Sequence, residues 1–452
     1  MKILIIGSGK VGYTLAESLT SKEHDVTVID NHDEALSEAA EKLDVMLIKG
    51  SGASLSTLKQ AGAEHADIVI ATTRSDEVNM LCCILAKKLG VKHAIARVRD
   101  PEYVRDIDLF KRQLDIDLVI NPERSTASEI LRLLRFPAAV EIDTLNRGRT
   151  ELIGFRVTSG DRISGVTLAQ LRKKVKSPVI VCMVERGDDV HIPRGDFIIE
   201  EGDLAFVAGR FDDITKFFRE IGRATHMASN VMIIGGGRTT HYLAHMASMI
   251  GIKSVIIERN EEECARLAEN LPHATIIHGD GLDQELLESE NIRGMDALAA
   301  LTNMDEDNLI ISLYANHAGV PKVVTKSNHH NYAPLVKNLG IDSVVSPRLI
   351  TANRIMHFVR GLSGSRGGAA RALYSLLGGR VEAIEFVVSR DTRYIGEKIK
   401  DMPIKPGVTI VSILRGGDSI TPGGSDFFLE GDSAVIVTAQ LGFDELNDIF
   451  ER

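Results

Sequence analysis

Tryptophan is absent from the 452 residues, and aromatic residues make up only 5%. Proteins that hold single-stranded nucleic acid stack bases on aromatic rings, so this chain is poorly supplied for that task. Basic charge is not in excess either: 53 Lys and Arg face 63 Asp and Glu, for a formal net charge of −10. A broad phosphate-binding face needs a basic stripe, and nucleic acid is therefore not expected as a partner. The four cysteines, Cys82, Cys83, Cys182 and Cys264, form no CxxC pair and join no Cys/His cluster. Buried, reduced thiols of an intracellular protein are expected, rather than zinc ligands or a disulfide frame. No apolar run reaches the ~18–20 residues that span a bilayer. A strand-like run, Ile3 to Ile6, follows Lys2 directly, so no secretory leader is expected. HExxH, the GKS/GKT phosphate loop and a nucleophile elbow are all missing. His241 and His245 stand four apart and His329 adjoins His330, but no further ligand accompanies either pair.

What the chain does have is ordinary globular composition, 44% hydrophobic and 26% charged, and a long internal repeat. Ile3-Leu4-Ile5-Ile6-Gly7-Ser8-Gly9 returns 228 residues later as Val231-Met232-Ile233-Ile234-Gly235-Gly236-Gly237. The same order of landmarks follows in both halves. Asp30 matches Glu258, Gly50-Ser51-Gly52 matches Gly279-Asp280-Gly281, and Thr73 matches Thr302. Asp76-Glu77 matches Asp305-Glu306, Arg97 matches Lys326, and Asn121-Pro122 matches Ser346-Pro347. Glu201-Gly202-Asp203 matches Glu430-Gly431-Asp432 near the ends. So many ordered matches mark a tandem duplication.

Each copy changes texture partway. Apolar runs at 3–6, 26–29, 45–48, 68–71, 94–98 and 118–120 read as strands. Helical periods at Val11–Leu19 and Val78–Leu89 lie between them, and a helix after Pro122 stops before Pro137. Alternating units of this kind predict a doubly wound parallel sheet. Residues 138–220 read instead as short strands at 140–142, 153–157, 177–181 and 203–207, with a short helix entry at 165–171. The fold class is thus α/β: two Rossmann-like parallel sheets, each followed by a small α+β domain. The expected domains are 1–137, 138–222, 229–360 and 375–452, with linkers at 221–230 and 361–380.

Gly7-x-Gly9-x-x-Gly12 is a weak motif alone. Here it follows a strand, opens a helix, and has Asp30 at the end of the next strand, which is the dinucleotide fingerprint in its context. Gly7 permits the turn, Gly9 lets backbone approach a pyrophosphate, and Gly12 lets helix and strand pack closely. The helix N-terminus that follows offers unpaired N–H groups and a positive dipole end to phosphate. Asp30 suits ribose hydroxyls and repels a 2′-phosphate. Thr73 has two uses open to it, capping the next helix or touching a ligand. Arg74 and Arg97 are placed to reach phosphates. The second copy reads Gly235-Gly236-Gly237-Arg238-Thr239, keeps a carboxylate at Glu258, and has Thr302 and Lys326 in the places of Thr73 and Arg97. Its third glycine is replaced by Thr240, which should push helix and strand apart or force repacking. Lys326 cannot make the bidentate contact open to Arg97.

Gly7-Ser8-Gly9-Lys10-Val11-Gly12, Asp30, Ser75-Asp76-Glu77-Val78-Asn79 and Ala96-Arg97-Val98-Arg99 resemble the RCK (KTN) nucleotide-binding domain. The modules at 138–220 and 381–450, with their Glu-Gly-Asp turns, resemble the RCK C-terminal domain. The tandem order covers essentially the whole chain. The resemblance implies a cytoplasmic regulatory subunit of a Trk-type potassium uptake system, held at the inner face of the membrane by an integral-membrane translocation subunit. It implies NAD(H), with ATP and ADP as alternatives, in one cleft formed by Gly7, Ser8, Gly9, Lys10, Val11, Asp30, Thr73, Arg74 and Arg97 and a second formed by Gly235, Gly236, Gly237, Arg238, Thr239, Glu258, Thr302, Asn303 and Lys326. It implies a homo-oligomer, either a tetrameric ring or a dimer, and no catalysis. An NAD-dependent oxidoreductase is the competing reading. Hydride transfer needs acid–base groups beside the nicotinamide, yet His191 is the only histidine in 138–220 and 381–450 has none. A scaffold with dead sites is the third.

Overall fold

The computed structural model describes residues 1–20, 24–105, 107–223, 227–328, 341, 343–363, 370–440 and 442–451. His329, His330 and positions 364–369 of the expected second linker lie outside the described residues.

The apolar runs of the first copy form β1 (Lys2–Ile6), β2 (Asp25–Asp30), β3 (Met46–Lys49), β4 (Ile68–Ala71), β5 (His93–Arg97) and β6 (Leu118–Ile120). They pair in parallel in the order β3-β2-β1-β4-β5-β6. Helices α1 (Lys10–Thr20), α2 (Asp33–Lys42), α3 (Leu55–Gln60), α4 (Asp76–Lys88), α5 (Pro101–Arg105), α6 (Ile107–Leu114) and α7 (Pro122–Arg135) connect and follow the strands. Ile5 pairs with Val28 on one side and Ile70 on the other, so the winding reverses at β1. A crevice opens there, outside the carboxyl ends of β1 and β4. Local chemistry sets the helix starts. Ser75 caps α4 by accepting from Val78 N at 3.2 Å, with Asp76 and Glu77 in its first turn and Lys87 and Lys88 in its last. Asn121 caps α7 from Arg124 N at 2.8 Å, and Pro122 fits the first turn.

The small domain that follows contains β7 (Glu141–Leu145), β8 (Thr150–Arg156), α8 (Leu168–Lys174), β9 (Ile180–Arg186), β10 (Asp189–His191), β11 (Leu204–Gly209) and α9 (Phe211–Glu220). The strand expected at 177–181 begins at Ile180. Pro178 has no N–H, and the Lys176 and Ser177 amides donate instead to the Glu220 carboxylate at 3.2 Å. The repeated Glu-Gly-Asp turns have a shared cause. Asp203 is 1% exposed and accepts from Arg186 Nε and Nη2, both at 2.8 Å; Asp432 does the same with Arg415 at 3.0 and 2.7 Å.

The second copy repeats the first: β12 (Asn230–Ile234), α10 (Arg238–Met249), β13 (Lys253–Glu258), α11 (Glu261–Asn270), β14 (Ala274–His278), α12 (Gln284–Ser289), β15 (Ala297–Ala300), α13 (Asp305–His317), β16 (Lys322–Lys326), β17 (Ser343–Val345) and α14 (Pro347–Ser363). The last sheet holds β18 (Ala370–Leu376), β19 (Val381–Val387), β20 (Val408–Arg415), β21 (Asp418–Ile420) and β22 (Ser433–Thr438). Strand order matches between copies in both sheet types. The second small domain loses the α8 equivalent to a single 3-10 turn, Ile399–Asp401. Lys398 stands where Thr167 caps α8, and Pro403 follows at once.

The two copies are packed into each other. Ala127, Ile130 and Leu134 of α7 share a core with Tyr242, Leu243 and Ala247 of α10. Reciprocally, Ala352, Ile355 and Val359 of α14 share one with Leu15 and Leu19 of α1. The small-domain sheets meet through Leu145, Met183 and Phe206 against Leu376, Ala383 and Val435. Asn146 Nδ2 donates to Ser412 Oγ at 2.7 Å across that contact. The four cysteines are buried and unpaired, and burial pushes the Cys82 thiol up to about 12. Among the described residues no helix is long and apolar enough to cross a membrane.

Candidate functional site

In the first copy the β1–α1 turn needs glycine at two places. Gly7 has φ +99°, and a Cβ there would lie 3.0 Å from the backbone of Thr72 and Thr73. A Cβ on Gly12 would lie 1.8 Å from the Gly7 carbonyl oxygen. Gly9 differs: a Cβ there would meet nothing within 4 Å, so the turn faces open space. Lys10 and Val11 begin α1, whose first N–H groups have no carbonyl a turn back and point to that space. Asp30 closes the side of the turn, accepting from Ser8 N at 2.6 Å and His32 N at 2.9 Å. Burial works to raise its pKa, but the His32 and Ser8 amides outweigh it and hold it below the usual carboxylate range.

The opposite wall comes from β4 and β5. Thr73 does not cap α4; Ser75 does. Thr73 N and Oγ1 donate to Asn79 Oδ1 at 2.7 and 2.8 Å, and Asn79 Nδ2 donates to Arg97 O at 2.8 Å. Asn79 is fully buried and ties the ends of β4 and β5 together. Arg97 Nη2 donates to Thr73 O at 2.5 Å, while its Nε is buried without a hydrogen-bond partner. Burial, then the Arg99 charge, lowers the Arg97 pKa. Arg74 is exposed at the rim. A half-buried guanidinium with an orphan N–H opposite a pinned acid and a glycine turn suits a diphosphate linked to a sugar.

The second copy rebuilds most of this. Gly235 has φ +100°, and Gly236 N donates to Glu258 Oε2 at 2.5 Å. Thr302 N and Oγ1 both donate to Asn308 Oδ1 at 2.8 Å, and Asn308 Nδ2 reaches Lys326 O at 3.0 Å. Lys326 donates to Leu301 O at 3.1 Å, and burial lowers its pKa. Gly237, Arg238 and Asn303 are exposed at the rim, and Thr239 is buried. Thr240 is accommodated by an exchange of hydroxyls. In the first copy Thr72 Oγ1 donates to Gly7 O at 3.2 Å. In the second, Leu301 follows β15 where Thr72 follows β4, and Thr240 Oγ1 donates to Gly235 O. The carbonyl at the head of the turn is bonded both times, once by a hydroxyl from the strand end and once by one from the helix. The expected repacking thus takes the form of one hydrogen bond.

The two clefts share charges across the boundary between the copies. Arg238, read in the sequence as part of the second cleft, adds its positive charge to the surroundings of Arg97 in the first. Glu123, which the sequence reading missed, offsets the burial of both Arg97 and Lys326, and its Oε2 is buried without a partner. Its signal was its place just past β6, at the strand-end face where open sheets bind ligands. Between the clefts, Asn121 Nδ2 donates to Tyr242 Oη at 3.0 Å, and Tyr242 Oη donates to Arg99 O at 3.2 Å.

With this geometry established, known proteins give the family. The TrkA-N domain model matches residues 3–122 and 231–347, and the TrkA-C domain model matches 152–222 and 383–451. The chain belongs to the TrkA family. Its TrkA relatives include Trk system potassium uptake protein TrkA homolog 1 of Methanosarcina mazei, 33% identical over the full length of both chains. TrkA of Halomonas elongata is 35% identical, covering 96% of this chain and 95% of that one. Among solved structures, the GsuK RCK domain superposes with TM-score 0.65 at 19% identity, covering 96% of this chain and 92% of that one. The GsuK channel bound to NAD gives the same score and identity, covering 97% and 76%. This TrkA-family fold is therefore that of RCK assemblies, with two copies in one chain.

Proposed function

We propose that this chain is the cytoplasmic, nucleotide-sensing regulatory subunit of a potassium uptake system, acting on an integral-membrane translocation subunit. The observation that carries this is the doubled cleft: a glycine turn and pinned acid facing a cation that is half-buried in the first copy and buried in the second, joined across one boundary. The names of the full-length relatives support the potassium uptake system. GsuK bound to NAD supports NAD(H), and GsuK bound to ADP supports adenine nucleotides.

In the first cleft Gly7, Ser8, Gly9, Lys10 and Val11 would hold the diphosphate, Asp30 the ribose, and Thr73, Arg74 and Arg97 the far wall. In the second, Gly235, Gly236, Gly237, Arg238, Thr239, Glu258, Thr302, Asn303 and Lys326 would serve. The division into 1–137, 138–222, 229–360 and 375–452 gives each cleft its own small domain. A bound nucleotide supplies negative charge where the cations Arg97, Arg238 and Lys326 outnumber the one acid, Glu123. Filling one cleft then changes the charge seen by the other, and a ligand shifts a two-state assembly by its difference in affinity between states. Exposed Leu81 on α4 and Ile310 on α13 (44% and 56%) support assembly of several chains into a ring or dimer.

The test is titration of the full chain with NADH, ADP and ATP by calorimetry, alongside potassium uptake. Asp30→Ala and Arg97→Ala should each weaken first-cleft binding about tenfold or more and blunt the nucleotide response of uptake. Failure of the unmodified chain to take up any of the three would overturn the proposal.

A further inference from the structure

We infer that a second ligand site, for a small multiply charged phosphoryl anion, lies between the two copies where α6 and α7 face α14. A cavity of about 290 Å³ opens there, and its cations are Lys111, Arg124 and Arg354. Ser125 and Ser128 add hydroxyls, and Asn121 closes one end.

Among the described residues no acid pairs with these charges. Among the described residues none of the three cations has a carboxylate within ion-pair distance, and no carboxylate lines the cavity. Arg354 reaches across the boundary, where its Nη1 donates to Ser125 Oγ at 3.1 Å. Burial lowers its pKa, and the next cause is another cation, Arg124. Arg124 and Arg354 reach solvent, which screens their repulsion, but cations gathered round one cavity with no paired carboxylate favour an anion that joins them. In a chain of net charge −10, there is no general surplus of basic side chains to account for the cluster.

The duplication supplies an internal control. Pro122 opens α7 and Pro347 opens α14, so Arg124, Ser125 and Ser128 correspond to Leu349, Ile350 and Asn353, and Arg354 corresponds to Glu129. Glu129 is closed off in an ion pair with Arg132. The matching helix positions thus carry no arginine pair, and the α7–α14 contact does not require one. Guanidinium pairs and hydroxyls suit phosphoryl oxygens. Because the cations belong to both copies, an anion bound here ties α6 and α7 to α14.

The experiment is calorimetric titration of the full chain with inorganic pyrophosphate, in saturating NADH so that the nucleotide clefts do not contribute. One pyrophosphate should bind per chain. Arg354→Gln and Lys111→Gln should each weaken it by about tenfold or more while NADH affinity stays within about twofold. A parallel sedimentation with phosphatidic acid vesicles separates the sources: binding to vesicles alone, sensitive to both substitutions, assigns the phosphoryl group to a lipid headgroup. Without ligand, both variants should melt at or above the temperature of the unmodified chain, since each relieves repulsion. No binding of either probe, binding indifferent to both substitutions, or a lower melting temperature in both variants would overturn the inference. Because NADH is only a blocker here, failure of the nucleotide proposal appears separately, in the NADH titration.

Discussion

At the scale of single residues, carboxylates set the geometry by accepting backbone and guanidinium N–H groups. Asp161 shows how this converts to stability. It is 6% exposed, accepts from Thr158 N at 2.7 Å and from Arg223 Nε at 2.7 Å. Burial works to raise its pKa, but Arg223 and Thr158 more than offset that and leave it lowered. A depressed carboxylate contributes stability that is fully present above its unfolded pKa, ~3.9, and that is lost as pH falls through the folded value. Asp161→Asn should therefore cost ~1–3 kcal/mol at neutral pH. In urea unfolding the gap to the unmodified chain should be widest near pH 7 and shrink near pH 3. A gap that widens in acid would contradict this account. Asp30 was legible in the sequence, because the strand before it and the glycine turn gave it context. Glu123 and Asn79 were not assigned, because Glu123 acts on Arg97 and Lys326 and Asn79 joins Thr73 to Arg97, and those groups are brought together only by the fold.

At the scale of elements, the two β–turn–helix units solve one packing problem in two ways. A side chain at position 12 collides with the Gly7 carbonyl, so Gly12→Thr alone should be strongly destabilising, by ~2–4 kcal/mol. Gly12→Thr with Thr72→Leu copies the second unit and should recover part of that loss, as thermal unfolding of the single and double variants would reveal. Additive costs would show that the hydroxyl exchange does not matter. In the second unit, Thr240→Val should cost about 1 kcal/mol by leaving the Gly235 carbonyl unpaired. Strand positions in the Rossmann units were legible within a residue or two, because buried parallel strands are continuous apolar runs. The 177–181 strand was misplaced because apolarity marks burial, while Pro178 and Glu220 decide where the ladder can start.

At the scale of the whole molecule, neither half is self-sufficient. Residues 1–222 on their own would expose Ile130 and Leu134 of α7 and the sheet face carrying Leu145, Met183 and Phe206, all buried here by the second half. That fragment should pair with itself, replacing the missing copy with a second molecule. Light scattering should show a dimer or larger, and a stable monomer would mean that the copies are independent domains. The full chain should unfold without a long-lived half-folded state, since one continuous core joins the first small domain to the second parallel sheet.

The sequence by itself determined the duplication, the sheet type of each half, the glycine turns and the acids beside them. These are local or periodic properties: chain reversal, apolar period and helix capping act over a few residues, and a repeat displays them twice. The tertiary structure alone decided that α7 lies on α10 and α14 on α1. It also placed Arg238 by Arg97 and gathered Lys111, Arg124 and Arg354 round one cavity. Those groups are distant along the chain, and no period encodes them. They meet because the crossover helices must bury their apolar faces, and the other copy is the surface that buries them.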